Sequence, residues 1–258
     1  NRRSLIRSQQ GTETGIMNSH TFTIDGVSVE ATAGQSIMQA ADAAGIYIPR
    51  LCAHPDLKPY GSCRVCTVLI NGTPQSSCTQ PASDGLVVES DCAAVQRLRR
   101  DIVEMLFIEG GHYCMYCEKS GNCELQALGY RLGVTAPKFD YQFPEQNVDA
   151  SHPDLFIDRN RCILCARCVR ASRDLDNKNV FQFVGRGLTR RVGVNSSACL
   201  RDTNIDVTDN ALNVCPVGAL MKKHVGYHTP VGERLYDIDP IGTEIDASRD
   251  RVPMIERE

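Results

Sequence analysis

The sequence of 258 residues contains no tryptophan and few other aromatics, with eight tyrosines and seven phenylalanines. It has no uninterrupted apolar run close to the roughly 20 residues that a membrane-spanning helix needs. Neither sign of charge dominates, because 28 basic and 31 acidic residues leave a formal charge of −3. These absences argue against a large aromatic core, a membrane span and a dedicated nucleic-acid-binding protein, since that last class depends on a basic surface.

Cysteine is the residue type present in excess, with 13 in one chain. Three groups of cysteines are each built on a C-x-x-C step, which lets neighbouring thiolates converge on one metal centre. A disulfide framework rarely repeats that step, and the N-terminal stretch lacks the apolar segment of a secretory signal peptide. The sequence therefore predicts metal-bound thiolates in the cytoplasm, a reducing compartment that keeps thiols free.

The first cysteine group lies in a segment of short strands. Asp25-Gly26 and Asn71-Gly72 predict two hairpin turns, and the stretch QSIMQAADAAG predicts one helix that stops at Gly45. The order hairpin, helix, cysteine loop and strand is typical of a β-grasp ferredoxin. The four cysteines follow the spacing C-x10-C-x2-C-x11-C and are Cys52, Cys63, Cys66 and Cys78. A four-cysteine zinc site is the alternative for this group.

The second group follows a predicted helix, AAVQRLRRDIVEMLFIE, that runs out at Gly110-Gly111. The helical spacing predicts a buried face made of Val95, Leu98, Ile102 and Met105, with Arg97, Arg99 and Arg100 largely off it. The cysteines after the helix are Cys114, Cys117 and Cys123, one ligand short of a cubane cluster. His112 is the predicted fourth ligand. Cys92, on the far side of the helix, is the alternative.

The third group consists of Cys162, Cys165, Cys168 and the distant Cys215, which is followed by a proline. Bacterial two-cluster ferredoxins carry C-x2-C-x2-C-x3-C-P, in which the fourth cysteine serves the other cluster. Ser172 stands where the first half would supply that fourth cysteine. Positions 205, 208 and 211, before Cys215, hold no cysteine either. The pattern therefore predicts a ferredoxin-like domain reduced to one [4Fe-4S] cluster, with a zinc site or free thiols as the alternative.

Several longer motifs match a known family. They are IPRLCAHP, GSCRVCTVLING, EKSGNCELQALGYRLG, CILCARCVRASRD, CPVGALMKKHVGY and PVGERLYDIDP, within residues 17–240. The sequence resembles the N-terminal part of the large iron–sulfur subunit of complex I and the small diaphorase iron–sulfur subunits of cytoplasmic NAD-reducing [NiFe] hydrogenases. In complex I the histidine stands at H-x3-C, which is position 110 and a glycine in this sequence, whereas His112 stands at H-x-C.

The resemblance implies three clusters on this chain. They are one [2Fe-2S] cluster on Cys52, Cys63, Cys66 and Cys78, one [4Fe-4S] cluster on His112, Cys114, Cys117 and Cys123, and one [4Fe-4S] cluster on Cys162, Cys165, Cys168 and Cys215. Cys92 and Cys199 are left over as ordinary thiols. The resemblance also implies an α+β protein. Its predicted parts are a β-grasp [2Fe-2S] domain over 17–92, a helical [4Fe-4S] segment over 93–150 and a ferredoxin-like [4Fe-4S] domain over 151–232.

The implied function is that of an electron-transfer subunit in a cytoplasmic hetero-oligomer. Its expected partners are a flavin/NAD-binding diaphorase subunit and the small and large subunits of a nickel–iron hydrogenase. No dinucleotide or phosphate-binding glycine motif is visible, so we expect no catalytic residue and no substrate-converting site on this chain. The same relay in an NAD-dependent formate dehydrogenase or a complex I-like assembly is the alternative. A structural zinc protein or an iron–sulfur sensor is the alternative from another class, although no nucleic-acid-binding element is visible.

The two ends and one basic stretch also carry predictions. Residues 1–16 are interpreted as a disordered extension before a natural start at Met17, and 233–258 as a tail. From residue 242 we predict that this tail is disordered or wraps a partner. The basic stretch consists of Arg161, Arg167, Arg170 and Arg173. It is predicted either to dock an acidic partner or to offset the negative cluster beside it.

Overall fold

The computed structural model of the protein describes residues 19–142 and 145–246. In chain order the elements are β1 Ser19–Ile24, β2 Val27–Thr32, α1 Ile37–Ala43, β3 Thr67–Ile70, β4 Thr73–Ser76, β5 Val87–Glu89, α2 Ala93–Ile108, α3 Glu124–Arg131, β6 Val148–Asp149, β7 Leu155–Asp158, α4 Arg167–Asp174, β8 Phe181–Val184, β9 Arg191–Val194, α5 Asn210–Asn213, β10 Leu220–Lys222 and α6 Leu235–Ile238. Helices and strands are mixed along the chain, as predicted. None of the helices in these two ranges is long and apolar enough to cross a membrane.

The first part of the chain forms a five-stranded sheet in the order β2-β1-β5-β3-β4. Both predicted hairpins are present, with β1 paired to β2 and β3 paired to β4. Asp25 and Asn71 have φ of 49° and 48°, and the glycines after them are also at positive φ, which is the left-handed pair that a tight two-residue turn requires. The predicted helix is α1. Ser36 caps it reciprocally with Gln39, and its apolar face closes one side of the sheet.

Helix α2 is present where it was predicted, but its buried face is different. Arg99 is 1% exposed whereas Met105 is 41% exposed. The guanidinium of Arg99 donates to the backbone carbonyls of Thr67 and Ser90 and to the Ser90 hydroxyl. The prediction for these two side chains was wrong, because open carbonyls beside β3 offer the arginine hydrogen-bond partners that an apolar side chain cannot use.

The last part of the chain contains a three-stranded sheet, β10-β7-β6, and the hairpin β8-β9. One hydrophobic core joins this part to the other two. It contains Leu51 and Val65 from the first part, Val103 and Leu128 from helices α2 and α3, and Ile157 from β7. The three parts are therefore packed together around shared apolar side chains.

Part of the predicted tail is packed against this body. Asp246 is 5% exposed and accepts a hydrogen bond from the backbone N–H of Tyr47 at 2.7 Å. Its carboxylate also forms an ion pair with Arg131 at 2.9 Å. A Cβ added to Gly242 would overlap the Tyr47 ring. For residues 242–246 the prediction of a disordered or partner-wrapping tail was wrong. The predicted extension over 1–16 and the rest of the tail, from 247 on, lie outside the described residues.

Candidate metal centres

The first site consists of Cys52, Cys63, Cys66 and Cys78, which the structure brings together between α1 and the β3-β4 hairpin. The Cys52 thiol is hydrogen-bonded to the thiols of Cys63 and Cys78, and Cys66 is hydrogen-bonded to Cys78. The backbone N–H of Cys52 also donates to the sulfur of Cys63 at 3.3 Å. Contacts with Cys63 and Cys78 lower the pKa of Cys52 and raise the pKa values of those two partners, so these thiols lie close enough to share protons.

The backbone around Cys63 adopts the left-handed conformation at two positions. Gly61 has φ of 71° and Arg64 has φ of 60°. A Cβ on Gly61 would stand 3.0 Å from the Cγ2 atom of Thr79, so the absence of a side chain lets the loop approach the residue next to Cys78. The two turns wrap the ligand pair around the site and direct backbone groups toward it, a common way to stabilise metal-bound sulfur.

The middle site consists of His112, Cys114, Cys117 and Cys123, which line one cavity together with Arg161 and Gly218. The Nε2 atom of His112 is buried and has no hydrogen-bond partner within the described ranges. The ring is also hydrogen-bonded to the backbone of Leu106, and because Nε2 is unpartnered this bond belongs to Nδ1. A metal-ligating histidine typically has this arrangement, with one nitrogen tied to a carbonyl and the other left for the metal.

The charge state of His112 fits the same role. Burial, reinforced by the charge of Arg161, lowers its pKa to about 4. The imidazole is therefore neutral near pH 7, and the neutral ring is the form that binds a metal. An unpartnered nitrogen at this depth is costly unless a ligand satisfies it, so the donor set of the middle site fits a bound cluster.

The ring of His112 lies against Gly110, the position at which the complex I spacing has its histidine. A Cβ added to Gly110 would lie 2.8 Å from the His112 Nε2 atom and 2.7 Å from the carbonyl oxygen of Asn160. The ring of His112 therefore fills the space in which a side chain at position 110 would stand.

Cys92, the alternative fourth ligand, lies at the wrong end of α2. It is the residue immediately before the helix, whereas the middle site follows the other end. A helix of 16 residues is ~24 Å long at 1.5 Å per residue. The structure brings His112 to the three cysteines and does not bring Cys92 there. Cys199 is also outside the three groups, with its thiol 3.3 Å from a carboxylate oxygen of Asp202.

The third site consists of Cys162, Cys165, Cys168 and Cys215. Burial raises the pKa of Cys162 to about 11 and that of Cys165 to about 12, and the charge of Cys215 contributes to both. Burial also raises the pKa of Cys168, and the charges of the other three thiols raise it further. The four sulfur atoms therefore lie close together. Leu164 and Ala166 have φ of 52° and 61°, and this left-handed backbone curls the loop around that pocket.

Three of the four positions that a second ferredoxin cluster would use serve packing instead. The hydroxyl of Ser172 is buried and accepts a hydrogen bond from the backbone N–H of Val180 at 2.9 Å. Ile205 and Ala211 are buried apolar residues, whereas Thr208 is exposed and its hydroxyl donates to the Asp206 carboxylate. None of the four positions adds to a second group of metal donors, which supports one donor group in this part of the fold.

The basic stretch divides into buried and exposed members. Arg167 and Arg170 are 3% and 4% exposed, and the interpretation that they dock an acidic partner was wrong. Arg161 pairs with Glu118 at 2.7 Å and Asp158 at 2.9 Å, and Arg173 pairs with its neighbour Asp174. Sequence reasoning missed the structural role of the buried pair, since the sequence does not show which carbonyls a distant loop presents.

The third site adjoins both of the others. Arg170 of α4 donates to the backbone carbonyl of Cys52 in the first site. On the other side, a Cβ added to Gly218, in the turn after Cys215, would lie 2.6 Å from the sulfur of Cys117 in the middle site. The third group thus adjoins both the first and the middle group in space, although it comes last in the sequence.

Throughout 19–142 and 145–246, no three His, Cys, Asp or Glu side chains are placed to hold one single metal ion.

Three family descriptions match successive parts of the chain. Residues 18–92 match a 2Fe-2S iron–sulfur cluster binding domain, and residues 99–138 match the NADH-ubiquinone oxidoreductase-G iron–sulfur binding region. Residues 153–221 match the ferredoxin-like domain of NADH-quinone oxidoreductase subunit 3. Each range contains ligands of one of the three groups.

Two curated proteins and one solved structure are similar to most of this chain. The gamma subunit of the NAD-reducing hydrogenase HoxS of Cupriavidus necator is 38% identical over 221 residues, which cover 85% of this chain and 94% of that subunit. The mitochondrial 78 kDa subunit of NADH-ubiquinone oxidoreductase of Candida albicans is 36% identical over 78% of this chain, but the match spans only 28% of that protein. One polypeptide in the crystal structure of an NAD+-reducing [NiFe]-hydrogenase in the H2-reduced state is 49% identical, with a TM-score of 0.83 over 85% of this chain and 94% of that one.

Proposed function

The chain belongs to the family of iron–sulfur subunits that includes the gamma subunit of the NAD-reducing hydrogenase HoxS, and from that premise we propose that it relays electrons between a nickel–iron hydrogenase module and a flavin/NAD diaphorase module. We place this assembly in the cytoplasm. Substrate conversion takes place on the partner subunits, while this protein carries the centres through which electrons pass. The observation that carries the proposal is the series of three donor groups packed side by side around one shared core.

We assign a [2Fe-2S] cluster to the first site and one [4Fe-4S] cluster to each of the other two. The ligands are those predicted from the sequence, with His112 rather than Cys92 completing the middle site. The five-stranded sheet with α1 packed across it supports the β-grasp assignment of the first part. When bound, the clusters supply one-electron redox chemistry without making or breaking bonds in a substrate.

The protein's own residues determine where the electrons reside and how strongly they are held. Burial of Cys52, Cys66 and Cys78 keeps water from most of the first site, whereas Cys114 and Cys117 of the middle site are only partly buried, and exposure to water alters a cluster's potential. His112 contributes a neutral ligand in place of a negatively charged thiolate, which favours the reduced state, as in histidine-ligated Rieske centres. Arg161 brings a positive charge to the same site, with its Nη1 atom 3.7 Å from the sulfur of Cys117.

The middle site opens toward a surface that is suited to a protein partner. A groove beside it is lined by Cys114 and Cys117 together with Met115, Tyr227 and Val231. Those last three side chains are 82%, 68% and 82% exposed. Apolar groups gathered at one place on a surface mark an interaction site. We therefore assign this groove to the subunit that exchanges electrons with the middle cluster, and we name that subunit as the hydrogenase module.

Elemental analysis of the complex, purified without oxygen, tests the proposal. We expect nickel together with iron, and about ten iron atoms for each copy of this chain if all three clusters are present. Molybdenum or tungsten in place of nickel would move the chain to a formate dehydrogenase. Iron with none of these metals would indicate a complex I-like relay, and zinc without iron would overturn the cluster assignment.

A pair of surface variants tests the assignment of the groove. Met115→Glu places a carboxylate at the rim of the groove. This variant should weaken co-purification with the hydrogenase subunits, because the carboxylate would lose its hydrating water when the subunits dock. Leu188→Glu is the matched control, since Leu188 is 89% exposed on the connection between β8 and β9. Equal retention of the hydrogenase subunits by Met115→Glu and the wild type would contradict the assignment.

A further inference from the structure

Arg167 lies inside the third ligand loop, between Cys165 and Cys168, and its side chain is 3% exposed. Its guanidinium group reaches beyond its own site. Each residue that it contacts through this group is the immediate neighbour of a predicted cluster ligand, and the contacts include all three sites.

The contact to the first site is a hydrogen bond from Nη2 of Arg167 to the carbonyl oxygen of Ala53, at 2.8 Å. Ala53 directly follows Cys52 and is itself buried. Arg170, one helical turn further along α4, adds a second tie by donating to the carbonyl of Cys52. Helix α4 is thus fastened to the loop that carries the first ligand of the [2Fe-2S] site.

The contact to the middle site is a two-pronged ion pair with Glu124, the residue after Cys123. Nη1 and Nη2 of Arg167 lie 2.6 and 2.7 Å from the two carboxylate oxygens. Nη1 also lies 3.4 Å from the carbonyl oxygen of Val214, the residue before Cys215. A planar guanidinium group makes these contacts in one fixed geometry, which the single ammonium group of lysine cannot reproduce.

The charge of Arg167 is fixed and lies close to the third site. The guanidinium group stays protonated, because arginine keeps its proton in proteins and Glu124 pairs with it. One donor, Nε, is buried without a partner in the described part of the chain. A cation that is shielded from water stabilises nearby negative charge strongly, and reduction of a cluster adds negative charge.

We propose that Arg167 is a positioning residue that fixes the three cluster sites relative to one another, and that its charge raises the reduction potential of the third cluster. The proposal rests on the proposed function, because it requires clusters at the three sites. It identifies one side chain that contacts the surroundings of all three sites.

Hydrogen exchange in the complex, purified without oxygen and carrying its clusters, tests the positioning role. In Arg167→Gln, amide exchange should accelerate together in segments 51–58, 121–127 and 212–218. We expect at least about tenfold, because removing one partner of a buried ion pair is strongly destabilising. Arg173→Gln is the control, since Arg173 is half-exposed and pairs with the adjacent Asp174. Acceleration confined to 212–218 would show that Arg167 acts only within its own site and would overturn the positioning role.

A redox titration followed by electron paramagnetic resonance tests the electrostatic role. Arg167→Gln should lower the reduction potential of the third cluster. Arg167→Lys keeps the positive charge but loses the paired N–H donors of the guanidinium group. It should therefore leave the potential near the wild-type value while still accelerating amide exchange. An unchanged potential in Arg167→Gln would overturn this part. If that variant fails to assemble, Glu124→Gln provides the opposite change, since loss of the carboxylate charge should raise the same potential.

Different experimental results would contradict the proposed function and the role of Arg167. A wild-type complex without three cluster signals would contradict the proposed function itself. Three intact signals, together with exchange and potentials that do not respond to any Arg167 variant, would overturn only the role of Arg167.

Discussion

The imidazole of His112 occupies the space above Gly110, since a Cβ on that glycine would lie 2.8 Å from the ring nitrogen Nε2. The two positions are therefore linked, because a side chain at residue 110 would have to displace the His112 ring or the carbonyl of Asn160. On the proposed ligand set, the histidine that H-x3-C places at position 110 is supplied from position 112 instead.

Replacing His112 should change the middle cluster alone. With His112→Ala we expect loss or alteration of one [4Fe-4S] signal on reduction, and with His112→Cys a lower potential for that cluster because a thiolate replaces a neutral ring. Gly110→Ala should affect the same signal by displacing the ring. Cys92→Ser is the control and should leave all signals intact, and a middle-cluster signal unchanged in His112→Ala would refute the assignment.

Gly218→Ala should also damage the middle site, although Gly218 belongs to the turn after Cys215. Its Cβ would lie 2.6 Å from the sulfur of Cys117, so either the ligand or the turn must move. Gly111→Ala is the matched control in the same cavity, because its nearest neighbour would be Asn160 at an ordinary 3.5 Å. Iron content per chain provides the measurement, with a deficit of about four atoms expected for Gly218→Ala only.

Cys215→Ser should remove the third-site signal and leave the other two. The serine oxygen is a poorer ligand for iron than the thiolate, and Cys215 is the ligand that the loop from Cys162 to Cys168 cannot supply. Cys199→Ser changes a cysteine outside the three groups and should have no effect. Simultaneous loss of two signals in Cys215→Ser would contradict a one-cluster ferredoxin-like domain.

Asp246→Asn should destabilise the fold without removing a ligand. The buried carboxylate accepts from Arg131 and from the backbone N–H of Tyr47. Loss of its charge leaves Arg131 partly uncompensated, and we expect a cost of about 3 kcal/mol in the free energy of unfolding. Urea denaturation of the variant beside Asp239→Asn, at an exposed position, checks this, and equal midpoints would show that the return of the chain to Tyr47 adds little stability.

The sequence predicted what depends on local spacing. The cysteine intervals indicated the three donor groups, and the Asp25-Gly26 and Asn71-Gly72 turns indicated hairpins that the structure contains. These features succeed because each is encoded within a few residues by backbone conformation or by the reach of a thiolate.

Features that depend on distant partners were not predictable. Helical periodicity placed Arg99 away from the core, yet carbonyls of Thr67 and Ser90 draw it inside. The burial of Arg167 and of Asp246 could not be predicted for the same reason. In each case a charged side chain is buried because a remote segment supplies its hydrogen-bond partners, and no local pattern records that supply.

The shared core also limits how such a subunit can be reorganised. Cutting the protein after residue 92 or 150 would expose side chains of the shared core, such as Leu51, Val103 and Ile157, to water. We therefore expect that no single part can be removed or exchanged without destabilising the others. On the proposed function, we therefore expect a change of redox partner to alter the outer surface, for instance around Met115 and Val231, while the interior stays as it is.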